Sequence, residues 1–245
     1  RSETPETDWP SEPTYADMIM GESTLLHYWR MGVAEGNVPD EKGSAGMTLF
    51  SPNIDYSQTG LLVGDDDTAI GFGQWAGATA NITQMDVWVV EFLVKAAETG
   101  FGAALQRAAG DFDPPIRVSF GGTPGSEFIQ VSNDTYPTPE YLTHPFSLNE
   151  PHHVAIRCTG DLLSLFVDGV LVDESAAAVP ARGWDRFRIP SGGDRADSVW
   201  DEIAIYSDLS DEQISAPHAQ AITAPHVQTT TLVRDALLTQ KPAGV

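Results

Sequence analysis

Apolar and polar positions alternate along His152–Cys158: Val154, Ile156 and Cys158 face one way, and His153, Ala155 and Arg157 the other. A period of two marks a β-strand with one face toward a core. Leu163–Val167 and residues 170–172 follow, rich in large and β-branched side chains. Asp168-Gly169 joins them. Both central positions of a two-residue type I′ turn need positive φ, which this pair tolerates best. The pattern predicts a three-stranded antiparallel meander.

The same reading predicts mostly strands elsewhere. Thr14 and Asp17 make the acidic form of a capping box for a short helix ended by Gly21. Leu25–Trp29 reads as a strand. Residues 32–60, rich in Gly, Pro, Asp and Asn, read as loop with a short strand near 47–50. Thr68–Phe72 is a strand, and the continuous apolar run at 86–95 predicts one buried on both faces. Residues 101–109 have a helix-favouring composition, but their neighbours favour a strand, which is the reading taken. Residues 116–120 and 128–131 read as paired strands around a Gly-rich turn, and 186–189 and 200–206 complete the set. Ser210 caps a second short helix, with Gln213 in the reciprocal position and Leu209 stapling against Ile214. Pro217 is expected to limit its length.

Four segments carry a family resemblance: Tyr15-Ala16-Asp17 with Tyr28-Trp29-Arg30-Met31-Gly32; Gly64-Asp65-Asp66-Asp67-Thr68-Ala69-Ile70; the segment from His152-His153-Val154-Ala155 through Thr159-Gly160-Asp161 to Phe166-Val167-Asp168-Gly169-Val170; and Asp201-Glu202-Ile203-Ala204-Ile205-Tyr206 with Leu209-Ser210-Asp211-Glu212. In that order they resemble the concanavalin A-like, laminin-G-like jelly rolls, and are similar to such domains in minor tail proteins of actinobacteriophages. The resemblance covers residues 14–223. It implies an all-β fold: a concanavalin A-like jelly-roll β-sandwich of two antiparallel sheets with short flanking helices. Residues 1–13 then read as a linker or arm and 224–245 as a C-terminal arm. The resemblance specifies fold far better than function, because this fold hosts enzymes, lectins and spacers alike.

Composition narrows the classes. The 245 residues are 41% hydrophobic, enough for a real core, and β-sandwiches reach ~200–250 residues as one unit. No apolar run approaches the ~18 residues of a membrane helix, so no membrane insertion is expected. The net charge of −22, from 13 basic and 35 acidic residues, would repel a phosphate backbone and argues against nucleic acid. It reads as a solubilising surface or as acidic Ca²⁺ sites. The one cysteine, Cys158, lies on an apolar strand face and is expected to be a buried thiol, with no internal disulfide. Residues 1–13 are acidic and Pro-rich without the apolar core of a secretory signal, and the chain starts without Met. The expectation is a segment processed or cut from a longer protein.

Candidate chemistry is sparse. Retaining glycoside hydrolysis wants two carboxyl groups ~5 Å apart, and the E-x-D-x-x-E strand of laminarinase-type glucanases does not occur here. Glu91 is the single acid of its strand, and Glu202 has no partner at that spacing. No enzyme is expected, and a glycoside hydrolase is the third reading. No histidine stands at H-E-x-x-H spacing. His152 and His153, adjacent on a strand, face opposite sides, one expected to be packed and one exposed. No cofactor is required. The resemblance does imply a structural Ca²⁺ near the ends of the first and last strands, with Asp201 at the matching position. The strand face of Asp201 also carries Ile203 and Ile205, so its carboxylate needs a partner, either a cation or an arginine such as Arg30. Asp65, Asp66 and Asp67 are either oxygen ligands or a solvated turn.

Glycan binding would use loop-borne aromatic rings. Trp75, Tyr136, Tyr141 and Trp184 sit among Gly, Pro, Asn and Asp; each is a candidate, and each also reads as a loop anchor tucked onto the sandwich. Trp29, Trp88 and Trp200 lie in strands and read as core or sheet surface. The function expected is a non-enzymatic recognition or adhesion module of a tail-associated virion protein or other extracellular assembly. It would bind host-surface glycan in several copies. The alternative is a structural spacer or decoration docking on neighbouring virion proteins.

Overall fold

The computed structural model describes residues 13–62, 67–106, 116–133, 140–160, 162–176, 183–189 and 197–221. The chain runs α1 (Tyr15–Gly21), β1 (Leu25–Trp29), β2 (Thr48–Phe50), β3 (Ile54–Thr59), β4 (Thr68–Phe72), β5 (Gly77–Met85), β6 (Trp88–Ala96), β7 (Gly100–Gln106), β8 (Ile116–Gly121) and β9 (Phe128–Asn133). It continues through β10 (Glu140–Pro145), β11 (His152–Cys158), β12 (Leu163–Val167), β13 (Val170–Ser175), β14 (Trp184–Ile189), β15 (Ser198–Tyr206) and α2 (Asp211–Ala221). No helix among the described residues is long and apolar enough to cross a membrane.

Two antiparallel sheets pack face to face. The first has the order β13-β12-β11-β6-β15-β4-β3, with β1 also paired to β15, and the second β10-β9-β8-β7-β14-β5-β2. The core between them includes Trp29, Trp88, Phe92, Trp184, Phe187 and Trp200. Trp29, Trp88 and Trp200 are fully buried, as strand aromatics in a sandwich should be. The apolar run predicted at 86–95 is β6, flanked by β11 and β15 and buried on both faces.

The predicted meander is β11-β12-β13, turned at Asp168 (φ 51°) and Gly169 (φ 73°). Both are in the positive-φ conformation of a type I′ turn. Cys158 is a buried free thiol. The Thr14–Asp17 capping box forms, and Ser210 and Gln213 cap α2 reciprocally.

Several elements differ from expectation. β3, β5 and β10 were not predicted. β5 fills its inward positions with Ala78, Ala80, Ile82 and Met85, so small residues hide the alternation. Pro217 does not limit α2, which runs on to Ala221; the break expected from its lost N–H does not occur. His152 and His153 are both packed. His153 is fully buried, and the His152 ring lies 4.2 Å from that of Phe146 with a side chain 12% exposed.

The outer faces of the two sheets have different fates. The first is roofed by both helices: Tyr15 and Ile19 of α1 and Ile214 of α2 join Val89, Leu93, Phe166 and Tyr206 in a second apolar layer. The second sheet has no such roof among the described residues.

Candidate functional site

A bulge at Glu202 organises the roofed face. Asp201 pairs with Leu93 but Ala204 with Glu91, so Glu202 and Ile203 have one partner position between them. Glu202 adopts φ 49°. The extra residue corrects the sequence-based placement of Asp201. It does not share a face with Ile203 and Ile205, which point into the inter-sheet core. It turns outward instead, alongside Leu93, beneath the helices.

Three carboxylates meet there. Asp67, Asp201 and Glu202 offer oxygens within 4.8 Å of one another. Asp201 accepts from the backbone N–H groups of Leu61 (2.9 Å) and Glu202 (3.1 Å). Glu202 accepts from the Tyr28 hydroxyl. Arg30 reaches Glu202 (Nε to Oε1, 3.4 Å) and Asp67 (2.7 Å). The expected arginine is therefore present, but its described ion pairs are with Glu202 and Asp67. Burial, and then the Glu202 charge, push the Asp201 carboxyl up to about 8. Burial pushes Glu202 up to about 7 against the opposing Tyr28 hydrogen bond and Arg30 charge. The oxygen donors suit Ca²⁺ in kind; Arg30 engages two of the three already. Asp65 and Asp66 lie outside the described residues.

Glu91, read as isolated, faces the same layer. It accepts from the Tyr206 hydroxyl and lies 3.3 Å from His153 Nε2. Glu91, Asp201 and Glu202 are all 0% exposed. This is a buried polar network that joins β6, β11, β15 and β1.

The glycan candidates separate. Trp184 is 1% exposed and lies in the core on β14, which overturns its reading as a loop aromatic. Gly183 and Asp185 made the segment look like a turn, but the ring is an inward strand position. Tyr136 lies outside the described residues. Trp75 is 59% exposed with φ 69°, on the connection between β4 and β5. Tyr141 is 51% exposed on the edge strand β10. β5 and β10 are five strand spacings apart, roughly 24 Å along the sheet. Trp75 and Tyr141 therefore do not form one site.

Tyr141 does belong to a row that sequence reasoning missed. Register places Thr79, Arg188, Ala104, Arg117, Ser132 and Tyr141 side by side on β5, β14, β7, β8, β9 and β10. Cross-strand partners share a face, and this is the outer one, because Phe187, Leu105, Val118 and Val131 between them line the core. The next row holds Phe101, Ser119, Gln130 and Thr143. Phe101 is 37% exposed. A second bulge, at Gly102, turns it outward: Phe101 pairs with Ser119 but Ala103 with Val118.

Gln130 and Thr143 continue into an open cleft of about 930 Å³, also lined by His144, Phe146, His152 and Asp168. The signal for this face was the period-two order Arg186-Phe187-Arg188-Ile189 and Ile116-Arg117-Val118-Ser119, cation or polar outside and apolar inside.

No family model and no curated protein sequence matches the chain. Solved structures do match in shape. The receptor-binding domain of botulinum neurotoxin type G superposes with TM-score 0.60 at 11% identity, over 80% of this chain and 51% of that one. Domain 4 of the extracellular GH43 arabinanase of Geobacillus stearothermophilus, solved with arabinotriose, gives 0.60 at 13% identity, over 80% and 98%. The Trypanosoma rangeli sialidase in complex with sialic acid gives 0.59 at 13%, over 81% and 33%. The likeness is one of fold, a lectin-like jelly-roll β-sandwich of two antiparallel sheets. The chain spans about half of the toxin domain and a third of the sialidase.

Proposed function

We propose that this chain is a non-enzymatic recognition module that binds glycan on the outer face of the second sheet. The observation that carries the reading is the contrast between the two outer faces. One is roofed by helices; the other has no such roof among the described residues and presents Tyr141 and Phe101 on adjacent rows among Thr, Ser and Gln side chains. Aromatic rings offer sugar C–H faces a flat apolar surface, and neighbouring amides and hydroxyls take the hydroxyl groups. The likeness to an arabinanase domain solved with arabinotriose supports the reading. So does the full burial of Glu91, Asp201 and Glu202, although their neighbour Asp67 is partly exposed.

The proposed setting is a virion tail or another extracellular assembly, with several copies acting on a host-surface glycan. A shallow open face gives weak single-site binding. Copies linked in one assembly gain ~10²–10⁴ in avidity where geometry allows. The test compares binding of monomeric and multimerised chain to host cell envelopes. Binding by the multimer alone, lost on Tyr141→Ala, supports the proposal; a multimer that stays in solution contradicts it.

A second reading, a spacer docking on neighbouring virion subunits, draws on the apolar hairpin tip, where Val170 is 61% and Leu171 40% exposed. It takes over if Val170→Ser with Leu171→Ser abolishes assembly while Tyr141→Ala changes nothing.

A structural Ca²⁺ is part of the proposal. It would be held by Asp67, Asp201 and Glu202 and would have to displace Arg30 from two of them. A melting temperature lowered by chelator supports the ion; an unchanged one leaves Arg30 as the counter-charge.

A further inference from the structure

The rows that carry Tyr141 lead down two strands into the cleft. On β10 the outward positions are Tyr141, Thr143 and Pro145, and opposite them on β9 stand Ser132, Gln130 and Phe128. Leu142, Ile129 and Val131 between them line the core. Tyr141 and Pro145 are four residues apart, ~13 Å along an extended strand. The two strands therefore connect an exposed tyrosine ring with a cavity of about 930 Å³, a volume typical of small-molecule sites.

The cleft has an aromatic floor, a braced wall and polar groups beside them. Phe128 pairs with Gly121, and its ring fills the place where a side chain at 121 would stand. That ring lines the cleft. The wall is His152 with Asp168. His152 Nδ1 lies 2.8 Å from Asp168 Oδ2, and Nε2 lies 3.2 Å from the Ser147 carbonyl oxygen. Asp168 Oδ1 also accepts from the His153 backbone N–H. The Phe146 backbone N–H donates to the Glu127 carbonyl oxygen at 3.0 Å, which ties the β8–β9 turn to the end of β10. Glu127, Gln130 and Thr143 complete the lining with a carboxylate, an amide and a hydroxyl. No Lys or Arg is among the described residues of the lining, whereas Glu127 and Asp168 bring two carboxylates.

We propose that this cleft is a subsite of the glycan face and takes an uncharged sugar residue, stacked on Phe128 and hydrogen-bonded to Glu127 and Gln130, while the same chain continues over Thr143 to Tyr141. This inference rests on the glycan-binding reading and adds a second contact point and a ligand class. A carboxylate accepts from neutral hydroxyls in strong, charge-assisted hydrogen bonds, and an amide both donates and accepts. An anionic sugar would meet Glu127 and Asp168 in the cleft and a net charge of −22 over the chain. The bonds of His152 and Asp168 brace the wall before any ligand arrives, so little ordering is left to the binding step. Hydroxyl contacts of this kind depend far less on salt than pairs of full charges do.

The test probes the full 245-residue chain, multimerised, on an array of neutral, carboxylated, sulfated and amine-bearing glycans. The variants are Glu127→Ala with Gln130→Ala, then Gln130→Trp, which fills the cleft from a partly exposed position, and separately Tyr141→Ala. Each is checked for an unchanged circular dichroism spectrum and melting temperature. The inference expects neutral glycans to be bound, with signals that hold from low to high salt. Both cleft variants should lower them by roughly tenfold or more, and Tyr141→Ala should lower the same signals.

Neutral glycans lost with Tyr141→Ala but kept by both cleft variants overturn the subsite and leave the glycan-binding reading standing. Binding confined to carboxylated or sulfated glycans overturns the ligand class. So does binding confined to amine-bearing glycans and lost at high salt. Signals that fall in the cleft variants and ignore Tyr141→Ala overturn the bridging chain together with the Tyr141 face. No glycan bound by the parent overturns both readings.

Discussion

Arg117 holds its guanidinium carbon 5.4 Å from the centre of the Phe101 ring, on the open side of the second sheet. The two come together because the bulge at Gly102 turns Phe101 outward, against the alternation that would send it inward with Ala103. The bulge is possible because position 102 has no side chain: a Cβ there would lie 2.6 Å from the Phe120 ring, which occupies the inner side.

Gly102→Ala should therefore force Phe120 or the strand to move. Overpacking of this kind costs ~1–3 kcal/mol. Urea unfolding should show that loss, and glycan binding should weaken with it. A variant as stable as the parent would mean that the ring swings away freely and that the bulge does not depend on the glycine.

The central strand should be the least tolerant part of the fold. Trp88 and Phe92 are both fully buried in the inter-sheet core. Replacing either by Ala should cost ~3–5 kcal/mol, through lost burial and the cavity left behind. A loss under ~1 kcal/mol at both positions, measured by chemical denaturation, would contradict the placement of β6.

At the meander turn, Gly169 has φ 73°. A β-branched residue resists that region strongly, so Gly169→Val should lower the melting temperature, whereas Gly169→Asn, which tolerates it better, should lower it less. Equal effects would argue against a backbone origin.

The buried acids predict a pH dependence whose sign is unusual for carboxylates. Asp201 is pushed up to about 8 and Glu202 to about 7 in the folded chain, from ordinary values of 3.8 and 4.5. The folded state thus keeps protons that the unfolded state releases, and stability from this pair falls as pH rises from about 4 through about 8. Glu202→Gln removes one titrating group and the like charge that helps raise Asp201. Its melting temperature should decline less over that range than the parent's. Parallel curves would contradict the assignment.

The strand set was legible where side chains are large. The alternation of 152–158, the Asp168-Gly169 turn and the unbroken run at 86–95 each carry one physical meaning, and the structure follows them. β5 was not legible because its inward positions begin with Ala78 and Ala80, which carry little apolar signal. β3 was hidden by its polar sequence at a sheet edge, and β10 by its flanking Pro and Glu. The site was less legible still. Its row takes one residue from each of several strands, and register across a sheet is not written in any one segment. The two bulges decide what faces where: Glu202 turns Asp201 away from the core, and Gly102 turns Phe101 toward solvent. Trp184 shows the opposite failure, a tryptophan between Gly and Asp that reads as a loop ring and packs as core.

The most direct measurement of the central claim is a glycan array probed with multimerised chain in three forms: parent, Tyr141→Ala and Trp75→Ala. Tyr141 lies on the proposed face, and Trp75 is as exposed but far from it along the sheet. The account predicts a defined set of bound glycans for the parent, signals reduced roughly tenfold by Tyr141→Ala, and no change with Trp75→Ala. Loss of binding with Trp75→Ala and full retention with Tyr141→Ala would place the site elsewhere and contradict the account.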